Sequence, residues 1–200
     1  RLFSQVEGPT VEGAEKLTLA SVSAASCPQL WTQFLDGPGR QVVGLQDKSL
    51  ANDIRASLKH AGAVPFRNDN QEAICIAWMR WEFDVDALRV GCDCLFKLPP
   101  LSDKLLLTAI DAELRLMTIG ATSPSARLTS YERIREMYGK GTAIQSLILD
   151  AEFWLRFVQF ERDIVRDAKR AADVQWRARR FLSKEQFTIF EERLILLNML

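Results

Sequence analysis

The chain has 200 residues, 48% hydrophobic and 26% charged, which describes a soluble folded protein rather than a disordered one. A chain of this length buries roughly 70% of the surface its extended form exposes, so it needs no staples to hold a core. Basic and acidic residues number 26 each, and this balance excludes a protein whose whole surface tracks phosphate.

Residues 1–26 read as an irregular arm, interrupted by Gly8, Pro9 and Gly13 and lacking a helical face in the small-residue run 20–26. Residues 27–200 read as a single helical domain. Pro28 suits a first helical turn, and Leu30, Trp31, Phe34 and Leu35 follow before Gly37-Pro38-Gly39 ends the segment. Asp47 or Ser49 caps a second helix over about 50–60, with Leu50, Ile54 and Leu58 on one face and Gly62 as its stop. The Asp69-Asn70 pair then caps a helix over 71–83, carrying Ile74, Ala77, Trp78 and Trp81. Residues 84–96 fit either a helix or a strand, and Pro99-Pro100 closes them.

Beyond this point the pattern sharpens. Ser102 or Asp103 starts a helix ending at Gly120, with Leu106, Ile110, Leu114 and Met117 along one side. A Ser/Pro loop leads to a short helix over 130–138, and Gly139-Lys140-Gly141 reads as a turn. From about 142 to 182 there is neither Gly nor Pro, which predicts one long central helix of roughly 60 Å. Ser183 and Gln186 match a capping box for a final C-terminal helix. The prediction is an all-α, multi-helix globular fold.

Chemical sites are harder to assemble. The only histidine, His60, falls near a helix end, where the helix dipole accounts for it. With one His, no zinc motif of the His-Glu-x-x-His type and no His-based nucleophile relay can be completed. Cys27, Cys75, Cys92 and Cys94 are too irregularly spaced for a disulfide framework or paired zinc ligands. Buried thiols in a reducing, intracellular compartment are expected, with a single bridge from Cys75 to Cys92 or Cys94 as the alternative. Gly139-Lys140-Gly141-Thr142 lacks the glycine spacing and preceding strand of a phosphate loop. No catalytic residue, cofactor or metal ligand is therefore assigned. No window has the length and hydropathy of a membrane span: residues 17–35 are diluted by polar side chains, and the apolar run 194–200 is too short. The start at Arg1 fits a cleaved organellar, for example mitochondrial, targeting peptide, but also a trimmed boundary or a disordered tail.

The long segment carries the functional argument. Its first half is apolar and aromatic on nearly all sides (Leu147, Phe153, Trp154, Leu155, Phe157, Val158, Phe160), which predicts a central core helix. In its second half Arg162, Arg166, Arg170, Arg177 and Arg180 are set among acids, with Trp176 and Phe181 as apolar anchors. These seven residues are the candidate partner-binding set. The expectation is a non-catalytic accessory subunit or adaptor of a multiprotein complex, binding other protein subunits through helices. Nucleic-acid or anionic-surface binding by the basic half is the alternative, weakened because acids interleave with the Arg residues. An enzyme with an unrecognised site, around Cys92 and Cys94, is the third.

Overall fold

The computed structural model describes residues 33, 35, 52, 55, 56, 69–82, 84, 86–89, 92, 102–120 and 123–198. Every element among them is helical, and no strand occurs among the described residues. The expected arm at 1–26, most of the two helices expected before residue 61, His60, Cys27 and Cys94 lie outside this set. The elements are α1 (Asp69–Trp81), α2 (Asp103–Gly120), α3 (Pro124–Gly141), α4 (Gln145–Ile148), α5 (Ala151–Gln159), a π-helical segment (Phe160–Val165), α6 (Ala168–Phe181) and α7 (Lys184–Asn198). They divide between two compact units, one ending with 107–120 and the other holding 102–106 and 123–198.

In the first unit, α1 buries Ile74, Cys75, Ile76, Ala77, Met79 and Trp81, and α2 buries Ala109, Ile110, Ala112 and Leu116. Of the described residues of the ambiguous stretch, 86–89 and 92 are helical and Asp84 is not. Two buried glutamates are clasped by arginines. Glu82 accepts from Arg55 Nε at 2.9 Å and Nη2 at 2.7 Å, from Trp78 Nε1, and from the Asp84 amide. Arg89 donates twice to Glu113 Oε1. The Arg115 guanidinium donates to the carbonyls of Met79, Arg80 and Glu82 around the end of α1, where a helix's last carbonyls call for such donors.

The second unit is built around α5. Asp150 caps it, its side chain accepting from the Glu152 amide, and six of its nine residues are buried: Ala151, Phe153, Trp154, Leu155, Phe157 and Val158. Glu152, Arg156 and Gln159 form one polar stripe that is exposed or half-buried, so α5 is enclosed around most of its circumference rather than all of it. Both α6 and α7 pack against α5. Trp154 is fully enclosed, and its indole N–H donates to Ile148 O at 2.9 Å. Tyr138 of α3 lies parallel to Phe157, ring centroids 4.4 Å apart, and also meets Phe153 and Phe160.

Three local expectations need correction. First, α3 runs from Pro124 to Gly141, well beyond 130–138, because Ser123 accepts from the Ala126 amide and Pro124 opens the first turn. Second, Gly139, Lys140 and Gly141 are its last residues rather than a turn. Gly141 is required by packing: a Cβ there would stand 2.7 Å from the Phe153 ring. Third, the long helix over 142–182 is broken. The π segment follows α5, Arg166 takes the left-handed conformation (φ 63°, ψ 37°), and Asp167 caps a new helix by accepting from the Arg170 amide. A non-glycine residue in that conformation costs on the order of 1–2 kcal/mol. The cost is offset locally, since the Asp167 N–H donates to Glu161 O at 2.8 Å and the buried Glu161 carboxylate takes both arms of Arg135. Those Glu161 hydrogen bonds raise the Arg135 pKa further above its ordinary value, keeping the guanidinium charged.

The capping box before α7 is half formed. Ser183 Oγ accepts from the Gln186 amide, but the Gln186 side chain accepts from the Ala151 amide at the start of α5.

Candidate functional site

The break at Arg166 decides what the candidate residues do. α6 buries only a narrow stripe of small side chains, Ala171, Val174 and Ala178. Residues three, four and seven apart share a helix face, so the opposite side carries Lys169, Ala172, Asp173, Trp176, Arg179 and Arg180, all exposed. Trp176 is 60% exposed, a large apolar area to leave in water. The Arg180 guanidinium lies over it, 4.8 Å from the ring centroid, in cation–π geometry.

The other candidates are dispersed. Phe181 stacks parallel to Trp154 with centroids 6.0 Å apart, so it closes the core edge rather than standing beside Trp176. The Arg177 guanidinium covers the same Trp154 ring from 5.6 Å. Arg170 faces the Asp167 carboxylate at 3.4 Å in the first turn of α6. Arg162 grips Asp163 with two hydrogen bonds on the π segment, which holds the Asp163 carboxyl below the usual carboxylate range. Arg166 forms the left-handed corner. The structure thus brings Trp176 together with Arg180 and adds Lys169 and Arg179, which the candidate set omitted. Their signal was present in the spacing from Trp176: Arg179 lies three residues on and Lys169 seven residues back.

Charge sorts in the same way. Glu161 is buried under Arg135, Asp163 is paired with Arg162, and Asp167 is spent as a helix cap. Three of the four acids that interleave with arginines in sequence, Glu161, Asp163 and Asp167, are therefore engaged before α6 begins. Within α6, five basic residues (Lys169, Arg170, Arg177, Arg179 and Arg180) face one acid, Asp173. Such a surface offers guanidinium groups for carboxylates or phosphates and one indole face for apolar contact.

No group of three or more His, Cys, Asp or Glu arranged to hold a metal ion occurs among the described residues. Cys75 and Cys92 are buried, and Cys92 Sγ lies 3.7 Å from Met79 Sδ in the first unit. No helix of the described residues is long and apolar enough to cross a membrane.

The fold and surface define a helical chain with an aromatic, cationic face, and that is as far as likeness extends. No protein-family profile, characterised protein or solved structure matches the chain.

Proposed function

We propose that this chain is a non-catalytic subunit or adaptor of a larger protein assembly, docking through the outward face of α6 onto an acidic protein surface. The observation that carries this reading is Trp176, held in the open under Arg180 on a helix with five cations and one acid. Tryptophan and arginine are enriched among the few residues that carry most of the binding energy of protein interfaces. A reducing, intracellular location belongs to the same proposal, on the irregular spacing of the four cysteines, which does not suit a disulfide framework.

A polyanion is the second reading, favoured by the charge of α6. Only Lys169, Arg179 and Arg180 project with Trp176, and Asp173 stands among them. Phosphate tracking at physiological salt rests on a longer uncompensated series, so the protein surface is preferred.

The test is affinity purification of the full chain at native abundance, comparing wild type with Trp176→Ala and Arg180→Ala. A discrete set of proteins should accompany the wild type and be lost from both variants. Retention of that set by both variants would reject the face. Retention on immobilised polyanion that falls steeply with salt, with no accompanying proteins, would replace the first reading with the second.

A further inference from the structure

The outward face of α7 is the chemical counterpart of the outward face of α6. Around α7, Phe190 is buried, Gln186, Phe187, Leu194 and Leu197 are partly covered, and the remaining described side chains are exposed. The exposed side carries Glu185, Ile189, Glu192 and Leu196 at intervals of four, three and four, flanked by Glu191 and Ile195. Leu196 and Ile195 are 61% and 55% exposed, more than a folded chain leaves open beside one another without a reason. The basic residue nearest this ridge, Arg193, is drawn to Glu152 of α5. What α7 presents is therefore a ridge of carboxylates alternating with aliphatic side chains, with Lys184 as the one further cation exposed in its first turn.

On α6 the outward series Lys169, Asp173, Trp176 and Arg180 follows the same intervals of four, three and four. Each ridge spans about 16 Å of helix, so one covers the other along its length. Two cations and an indole, with Asp173 among them, oppose two carboxylates and two aliphatic groups, which is complementary in net charge and in apolar content. Both helices pack on the same α5, and the Arg179 guanidinium over the Phe187 ring at 5.8 Å ties the end of α6 to α7. The chain also carries zero formal charge, so two copies meet without net repulsion.

We infer that the acidic surface met by α6 is α7 of a second copy of this chain, so that the protein associates with itself through α6-on-α7 contacts. The inference rests on the docking reading above and names its occupant. A pair of copies that exchanges both contacts closes as a two-fold dimer, in which each ridge is used once in each direction.

Charge reversal tests this directly. Self-association of the full chain is measured by sedimentation or light scattering across protein concentration, with helical circular dichroism confirming the fold of every variant. Wild type should associate. The double variant Arg179→Glu with Arg180→Glu makes both ridges acidic, and Glu185→Lys with Glu192→Lys makes both basic. Each should weaken self-association by about tenfold or more, since like charges then face one another. An equimolar mixture of the two should recover association, because each acidic ridge again finds a basic one. A wild type that stays monomeric at every concentration, or a mixture that does not recover, overturns the inference. If the wild type is monomeric while Trp176→Ala still sheds accompanying proteins, self-association fails and the docking reading stands. If both the accompanying proteins and self-association are indifferent to Trp176→Ala, both fail together.

Discussion

Helices α5 and α6 lie within one stretch free of glycine and proline, yet they are used in opposite ways. α5 turns six large or small apolar side chains into the core and leaves Glu152 as its exposed residue, whereas α6 touches the core through Ala171, Val174 and Ala178 and keeps its one indole outside. The contrast shows how side-chain size allocates a helix. Bulk over most of its circumference makes a helix a centre for others to pack on, while a stripe of small residues lets it lie close and frees its remaining circumference for other contacts.

The two tryptophans sharpen this contrast most. Trp154→Ala removes a fully enclosed ring, its hydrogen bond to Ile148 and the platform under Phe181 and Arg177, and should cost about 4 kcal/mol in denaturant unfolding. Trp176→Ala should change the same measurement by less than about 0.5 kcal/mol, as expected for an exposed site. Equal losses at the two positions would break the comparison.

The junction between the helices gives the next effect. Arg135→Ala leaves the Glu161 carboxylate buried without the guanidinium that holds it, at a cost of about 3 kcal/mol. Because Glu161 O also receives the Asp167 amide, the start of α6 should lose amide protection in the same variant. At the end of α3, Gly141→Ala forces a methyl into the Phe153 ring and should destabilise by about 2 kcal/mol. Gly139→Ala meets nothing within 4 Å in the same helix and should instead stabilise by about 0.5 kcal/mol. A shared sign for the two glycines would contradict the packing described.

The smallest effect is a pH dependence. Arg162 depresses the folded-state pKa of Asp163, so the pair contributes stability above the ordinary carboxylate range and loses it as pH falls through that range toward the depressed value. Asp163 is half exposed and screened, so the contribution is about 0.3 kcal/mol. Comparing unfolding of wild type and Asp163→Asn at neutral and acidic pH should show the difference at neutral pH only.

Much of the helical order was legible because its signals are local. Ser102 does accept from the Leu105 amide, and Ser183 accepts from the Gln186 amide, so the starts of α2 and α7 announce themselves. The break within 142–182 was not legible in the same way. The left-handed residue is Arg166 rather than glycine, and the Asp150 and Asp167 caps sit among other charges that look like a helix surface. Gly141 misled for the opposite reason: its small size answers Phe153, twelve positions away, rather than a turn. The candidate surface divides along the same line. Trp176 and Arg180 are one helical turn apart and pair locally, while the destinations of Phe181 and Arg177 depend on Trp154, more than twenty positions earlier.

The reach of Gln186 to the Ala151 amide has a consequence in time as well as in space. The first amide of the central helix is shielded by a side chain that arrives 35 residues later along the chain. Deuterium should therefore enter at Ala151 at the rate at which α7 lifts away, and not at the rate at which α5 itself unwinds. That single proton is a clock for the docking of the last helix, and Gln186→Ala would stop the clock while leaving the helix in place.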